Sequence, residues 1–214
     1  MINLLNIKNI IFDLGGVILN IDYQLTAKEF RKLGFADYNN LFTKLNQNKI
    51  FDLLETGKIS PDFFLNELKK ISTKDISNND LINAWNAMLL DFPKKRIEIL
   101  KILKNKYRTF LLSNTNEIHL KAYNKTLFDT FGINDLSEIL EKEYYSHIIG
   151  MRKPDLEIFE FVLNENNLIP EETLFIDDSP QHIDAARKLG IKAYHLKDDE
   201  TICDLFNSKN KSYL

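Results

Sequence analysis

The sequence has one cysteine, Cys203, so an intramolecular disulfide cannot form. It lacks an apolar run of membrane-spanning length, and its first residues show no basic segment followed by an apolar core and a small-residue cleavage site. The sequence also has no excess of positively charged residues. The 28 Lys and Arg residues face 31 Asp and Glu residues, and the net charge of −3 argues against broad binding to nucleic-acid phosphates. These absences predict a cytoplasmic protein with no membrane and no nucleic-acid partner.

What the chain does contain is typical of a soluble globular protein. Hydrophobic residues make up 44% and charged residues 28% of 214 residues, a length that suits one large domain or two modest ones. Short apolar runs alternate with helical patterns from residue 94 onward. Such alternation predicts an α/β fold, a doubly wound and mainly parallel sheet with helices on both faces. The strands are expected at residues 10–12, 110–112, 144–148, 174–176 and 191–196.

A helical block at residues 23–92 interrupts this alternation after the first strand. Ser60-Pro61 is a strong helix start inside it, because Ser60 can cap the helix and Pro61 suits the first helical position. We interpret the block as an insertion. The predicted division is an α/β core of residues 1–19 and 94–214 and a helical cap of residues 20–93, with Phe63, Phe64 and Trp85 in the core of the cap.

Polar residues end three of the predicted buried strands. Asp13 follows the first, Ser113-Asn114 ends the second, and Asp177-Asp178 ends a third. Because parallel strands share one C-terminal edge, these groups should converge there. Three neighbouring carboxylates repel one another unless a cation joins them, and Mg²⁺ is a hard ion that takes oxygen ligands. The sequence therefore predicts a Mg²⁺ site at this edge.

With these residues in place, the chain resembles the haloacid-dehalogenase superfamily of hydrolases, which use an aspartate nucleophile and are mostly phosphatases. Asp13 matches the first motif, Ser113-Asn114 the second, Lys153 in the run Arg-Lys-Pro the third, and Asp177-Asp178 the acidic fourth. The likeness covers the chain outside the helical block, and this family places a helical cap where the block lies.

The resemblance implies a role for each matching residue. Asp13 would attack phosphorus and form an aspartyl-phosphate, which splits one hard displacement into two easier ones. Ser113, Asn114 and Lys153 would bind the phosphate, and Lys153 would also stabilise the developing charge as a second catalytic residue.

The resemblance also implies how the metal is held. Asp13, the backbone carbonyl of Gly15 and Asp178 would be the ligands of Mg²⁺. Asp177 would lie behind them and hold either a metal-bound water or Lys153.

One position departs from the family's pattern. Most of its phosphatases carry a second aspartate, the general acid, where this chain has Gly15. Two alternatives to a phosphatase follow: a haloacid dehalogenase, which also lacks that aspartate, and a catalytically silent protein that binds a phosphorylated ligand. The acidic pair Asp177-Asp178 favours a metal and therefore a phosphatase.

A closer likeness narrows the substrate class. The first motif, the turn Glu55-Thr56-Gly57-Lys58, and the runs around Ser113 and Lys153 resemble the alpha-D-glucose-1-phosphatase-like branch, whose members also have glycine at the acid position. The implied substrate is a small phosphorylated metabolite of the sugar phosphate class. The individual substrate and the oligomeric state are left open.

The four histidines are predicted to lie outside the catalytic machinery. His119 follows the second motif, and we interpret it as an exposed helix residue, with a role in orienting substrate or supplying a proton as the alternative. His147, His182 and His195 share no metal-ligand spacing and are expected to be structural or at the surface.

Overall fold

The computed structural model describes residues 4–35, 50–72 and 74–206. Its centre is a five-stranded parallel sheet of order β3-β2-β1-β4-β5, which confirms the predicted α/β class. The strands are Asn9–Phe12 (β1), Arg108–Ser113 (β2), Lys142–Tyr145 (β3), Thr173–Asp177 (β4) and Lys192–His195 (β5).

The third strand ends earlier than the sequence predicts. A helix begins at Ser146 instead, and the Ser146 hydroxyl accepts a hydrogen bond from the Thr115 amide at 2.9 Å and donates one to the Thr115 carbonyl at 3.0 Å. The apolar pattern continues through residue 148, but these contacts with the loop after β2 turn the chain out of the sheet.

Helices cover both faces of the sheet, as predicted for a doubly wound fold. Successive residues of β1 face opposite sides, so Ile10 and Phe12 enter one hydrophobic cluster and Ile11 the other, all fully buried. The helices outside the insertion are Lys94–Leu103 (α5), Glu117–Phe131 (α6), Ser146–Ile149 (α7), Leu156–Asn166 (α8), Pro180–Lys188 (α9) and Ile202–Leu205 (α10).

Four described helices lie between β1 and α5, where the insertion is expected. They are Tyr23–Lys32 (α1), Ile50–Glu55 (α2), Pro61–Ile71 (α3) and Asn78–Asn86 (α4). Ser60 caps α3 as predicted, since its hydroxyl accepts a hydrogen bond from the Phe63 amide at 3.2 Å. The division of the chain into core and cap domains stays a prediction.

The insertion has a hydrophobic cluster of its own. Phe64 and Trp85 lie in it, as predicted, together with Ile118 of α6. The expectation for Phe63 is wrong, because its side chain is 49% exposed. The buried positions of α3 are Phe64, Leu65 and Leu68, and one helical face cannot also hold the position before them.

None of the helices described in residues 4–35, 50–72 and 74–206 has the length and apolar character needed to cross a bilayer.

Candidate active site

Strand register places the first and fourth motifs side by side. Phe12 of β1 is paired with Ile176 of β4, and the Asp13 amide donates to the Ile176 carbonyl at 2.9 Å. The next residue of each strand is therefore an aspartate at the same edge, Asp13 on one and Asp177 on the other. The convergence expected from the strand ends is what the structure has.

Lys153 lies between these two carboxylates. Its ammonium donates to Asp13 Oδ1 and to Asp177 Oδ2, both at 2.7 Å, and its side chain is fully buried. Burial lowers the pKa of Lys153, but the charges of Asp13 and Asp177 outweigh it and the net shift is upward. The site thus contains a permanent cation in a place that water does not reach.

The two carboxylates differ in their electrostatic state. Burial raises the pKa of Asp13 to about 7, with Lys153 opposing it and Asp177 adding to it. Burial also acts to raise the pKa of Asp177, but Lys153 and His182 outweigh it and hold this pKa at about 2. Asp177 is consequently a fixed anion, whereas the charge of Asp13 depends on which cations lie beside it.

Asp177 is held from its other side by groups of helix α9. The Ser179 amide donates to Asp177 Oδ1 at 2.8 Å, and His182 Nδ1 donates to the same carboxylate at 3.0 Å. Of the two roles considered for Asp177, the structure has the contact with Lys153. Sequence reasoning missed His182, although its place one helical turn after the acidic pair was an available signal.

The donor set fits a hard divalent cation. Carboxylate oxygens of Asp13, Asp177 and Asp178 lie within 4.8 Å of one another. Gly16 has φ +72°, and a Cβ added there would lie 2.2 Å from Asp178 Oδ2. The Asp178 carboxylate therefore rests against the turn after β1, in space that a larger residue would fill. Oxygen donors at this spacing are those that Mg²⁺ prefers.

Asp178 is positioned from behind by His195. His195 Nε2 donates to the Asp178 carbonyl oxygen at 2.9 Å, and Nδ1 of the same ring accepts from Lys197 Nζ at 2.8 Å. Burial, with the charge of Asp177 added, raises the pKa of Asp178. A cation at this point would favour the ionised form of the carboxylate.

The second motif is tied to the third through a side chain. Asn114 Nδ2 donates to the Lys153 carbonyl oxygen at 2.8 Å, and the Lys153 amide donates to Asn114 Oδ1 at 2.9 Å. Ser113 is buried at the end of β2. Binding of phosphate by Ser113 and Asn114 stays a prediction, and the Asn114 side chain already has a structural partner.

An apolar side chain lies against the position of the missing acid. A Cβ added to Gly15 would lie 3.0 Å from Ile21 Cδ1. Gly15 has no left-handed backbone conformation, so the obstacle to a larger residue there is this contact alone.

A cleft of about 510 Å³ borders the site at Asn114, although Asp13, Lys153 and the acidic pair are not part of its lining. It lies between the insertion and the sheet edge. Its walls combine aromatic and polar side chains, among them Tyr23, Gln24, Phe51, Glu55, Trp85, Asn114, Thr115, His119 and Arg152. A cleft of this volume, with both aromatic and polar side chains in its walls, is typical of small-molecule sites.

The interpretation of His119 as an exposed residue is wrong. The residue is 8% exposed, its ring is stacked on Trp85 with centroids 5.1 Å apart, and its Nδ1 donates to Asn86 Oδ1 at 2.8 Å. Burial lowers the pKa of His119 to about 3, so the ring is neutral at physiological pH. The insertion covers this face of α6, which the helical pattern of α6 alone does not reveal.

The comparison with known families agrees with this geometry. A model of the haloacid dehalogenase-like hydrolases matches residues 7–190. The chain belongs to this family. Its expected class of enzyme, a phosphatase of the haloacid dehalogenase type, is confirmed by relatives that are themselves phosphatases.

Two curated relatives cover most of the chain. A D-ribitol-5-phosphate phosphatase of Bacteroides thetaiotaomicron is 34% identical over 188 residues, which span 88% of this chain and 91% of the relative. A sesquiterpene phosphatase of Aspergillus oryzae is 27% identical, over 92% of this chain and 93% of the relative.

Among solved structures, a family enzyme of Bacteroides thetaiotaomicron in complex with magnesium and inorganic phosphate is 37% identical, with a TM-score of 0.86 over 94% of this chain and 100% of that one. Magnesium in such a relative confirms the cofactor expected from the sequence. A dehalogenase with 19% identity and a TM-score of 0.61 shares the fold alone.

Proposed function

We propose that this chain is a Mg²⁺-dependent phosphomonoesterase that acts on a small phosphorylated metabolite, of the sugar or sugar-alcohol phosphate class, through an aspartyl-phosphate on Asp13. The observation that supports this most is the buried ammonium of Lys153 between Asp13 and Asp177, beside Asp178. A buried cation between carboxylates is costly to assemble unless the site uses its charge.

In the proposed first step, a carboxylate oxygen of Asp13 attacks phosphorus. The bond between phosphorus and the ester oxygen breaks, and the alcohol leaves with a proton taken from solvent or the site. Lys153 already binds Oδ1 of Asp13, which orients the carboxylate and leaves its second oxygen outside this hydrogen bond. The same ammonium neutralises charge that develops on the phosphoryl group.

In the proposed second step, water attacks the aspartyl-phosphate, and inorganic phosphate and the Asp13 carboxylate are released. When bound by Asp13, Asp178 and the Gly15 carbonyl, Mg²⁺ would supply positive charge to the phosphoryl oxygens. Asp177 keeps Lys153 in place throughout, because its own low pKa leaves it ionised.

The substrate class rests on the cleft and on one relative. The cleft, about 510 Å³, accommodates a small polar molecule among Tyr23, Gln24, Glu55 and Arg152. The relative with 34% identity has D-ribitol 5-phosphate as its substrate. A polyhydroxylated ligand suits walls that offer both hydrogen-bonding groups and aromatic faces.

The test is release of inorganic phosphate from a panel of ribitol 5-phosphate, sugar 1-phosphates, sugar 6-phosphates and an aryl phosphate, with Mg²⁺ and with EDTA. We expect turnover with Mg²⁺, loss of turnover in EDTA, and no turnover by Asp13→Asn. Full activity of Asp13→Asn, or activity indifferent to EDTA, would overturn the mechanism. Binding of beryllium fluoride with Mg²⁺ but no turnover on any ester would favour a silent phosphate-binding protein instead.

A further inference from the structure

Arg152 connects the loop of the third motif to the insertion. Its guanidinium meets two acidic side chains of α2: Nη1 forms an ion pair with Asp52, and Nη2 lies 2.9 Å from Oε2 of Glu55, whose pKa burial raises to about 7. The side chain of Arg152 is 28% exposed and that of Glu55 is 27% exposed, so this contact is partly withdrawn from water. A guanidinium suits such a double contact because its planar fork presents several N–H groups at once.

The turn after α2 makes a second contact between the insertion and the core. Gly57 follows α2, has φ +65°, and a Cβ added to it would lie 2.1 Å from the His147 carbonyl oxygen. The turn after α2 therefore lies directly on the backbone of α7. Because α7 leads into the loop that carries Arg152, the insertion contacts two neighbouring parts of the core, α7 and this loop.

The residue after Arg152 is the buried lysine of the site. Lys153 is held at its backbone by Asn114 and at its ammonium by Asp13 and Asp177. Two adjacent residues thus extend to different parts of the molecule, Arg152 to α2 and Lys153 to the sheet edge. A displacement of α2 would reach Lys153 across a single peptide unit.

Arg152 also retains hydrogen-bonding capacity toward the cleft. It lines the cavity, and its Nε is buried without a hydrogen-bond partner among the described residues. A buried N–H that makes no hydrogen bond is unfavourable, and an oxygen of a ligand in the cavity would satisfy it.

We propose that Arg152 is a positioning residue: it fastens α2 over the cleft and sets the Lys153 ammonium between Asp13 and Asp177. The movement that places the insertion over the substrate then also brings Lys153 into its catalytic position. This inference rests on the proposed function, since the site that it completes is that of the phosphatase. Closure of an insertion over a substrate excludes water and completes catalytic sites in many enzymes.

The kinetic test compares Arg152→Gln, Asp52→Asn and the double variant on the ester that the wild type hydrolyses best. We expect Arg152→Gln to lower kcat by roughly 10²-fold with a smaller change in KM, because a displacement of about 1 Å in a catalytic group has an effect of this size. The double variant should be little worse than Arg152→Gln, since both changes remove one interaction. Arg152→Lys should recover part of the rate, because one ammonium can pair with either carboxylate.

The matched control is Arg108→Gln. Arg108 also binds a carboxylate with two nitrogens, through Nε and Nη2 to Glu141, but it lies at the start of β2, at the opposite edge of the sheet from the site. We expect its activity to equal that of the wild type. Equal losses in Arg108→Gln and Arg152→Gln, or additive effects of Arg152→Gln and Asp52→Asn, would overturn the proposal.

Hydrogen exchange separates this inference from the proposed function. When Mg²⁺ and beryllium fluoride are added as the probe, amide exchange in peptides covering residues 50–60 and 150–155 should become slower in the wild type. The slowing should be smaller in Arg152→Gln. The same protection in both proteins would overturn the role of Arg152 whether or not the wild type hydrolyses any ester. Should Arg152→Gln fail to fold, Asp52→Asn carries the same comparison, because Asp52 is 53% exposed and its loss leaves no buried charge.

Discussion

The floor and the roof of the cleft are built on different physical principles. The floor is the sheet edge, where Lys153 and Asp177 are fully buried and the Lys153 ammonium lies 2.7 Å from a carboxylate oxygen of Asp13 and of Asp177. The roof is the insertion, where Trp85 stacks on His119 and partly exposed ion pairs join α2 to Arg152. Removing Lys153 from the floor would leave two buried carboxylates without their cation, whereas removing one contact of the roof would leave only partly exposed groups unpaired.

The strongest test of this contrast removes the buried cation. Lys153→Met leaves Asp13 and Asp177 facing each other without an ammonium, and breaking a buried ion pair in this way costs about 3–5 kcal/mol. We expect a loss of that size in the free energy of unfolding from urea denaturation, together with loss of turnover. Lys142→Met, which removes an exposed pair with Glu165, should change stability little. A stable Lys153→Met would mean that the floor does not need its cation.

The second test uses the pH dependence of the metal-free protein. The pKa of Asp13 is raised from 3.8 to about 7, so the folded state binds its proton more tightly than the unfolded state does. Stability in EDTA should therefore be highest near pH 4 and fall as the pH rises toward 7. Because one pKa unit corresponds to about 1.4 kcal/mol, the fall is on the order of 4 kcal/mol at most. Asp177, whose pKa is lowered, acts in the opposite direction only below pH 4.

The measurement is Tm against pH from 4 to 8 in EDTA for the wild type and Asp13→Asn. The variant lacks the titrating carboxylate, so its curve should be flatter over this window. Mg²⁺ should stabilise the wild type most at the upper end, where Asp13 is ionised. Parallel curves for the two proteins would show that Asp13 does not titrate in this range.

The third test concerns the leaving group. Gly15 carries no acid, so the rate for a series of aryl phosphates should fall as the pKa of the leaving phenol rises. Gly15→Asp alone should not help, because its Cβ would meet Ile21 at 3.0 Å. In Gly15→Asp with Ile21→Ala the acid has room, and we expect a gain of up to roughly 10²-fold for the least acidic phenols, the lower end of what a positioned acid contributes. A wild-type slope near zero, with chemistry rate-limiting, would reveal another proton donor.

The smallest effect is expected in the roof. His119→Phe keeps a ring against Trp85 and loses the hydrogen bond to Asn86, a change of about 1 kcal/mol in stability and a few-fold in KM. Since the pKa of His119 is about 3, the pH profile of kcat between 5 and 8 should be the same in both proteins. A profile that loses a limb near neutral pH in the variant would assign a titrating role to His119.

The sequence was informative about the floor because buried parallel strands leave a strong local signal. Apolar runs that stop at Asp13, Ser113 and Asp177 locate three strand ends, and parallel strands bring such ends together. The role of Lys153 was predicted from a motif resemblance alone. The sequence of the loop between α7 and α8 does not indicate that the Lys153 side chain is fully buried.

The roof was less predictable because its contacts join segments that are distant in sequence. The burial of His119 depends on Trp85, 34 positions earlier, and helical periodicity in α6 carries no record of that partner. Phe63 and Phe64 are both apolar, and the pattern alone did not decide which one the helix would bury. His182 was missed although it lies one helical turn after the acidic pair, because spacing alone does not show that its ring forms a hydrogen bond with Asp177.

Two hydrogen bonds join the Asn114 side chain to the Lys153 backbone just beyond the end of β2. Asn114 donates through Nδ2 and accepts through Oδ1, so this pair of hydrogen bonds is sensitive to the replacement of a single side-chain atom. An aspartate has the same shape but would set an acceptor against the Lys153 carbonyl, and the two would repel. Deamidation of Asn114 would therefore weaken the attachment of the Lys153 loop to the end of β2, in addition to changing a side chain that is predicted to bind phosphate.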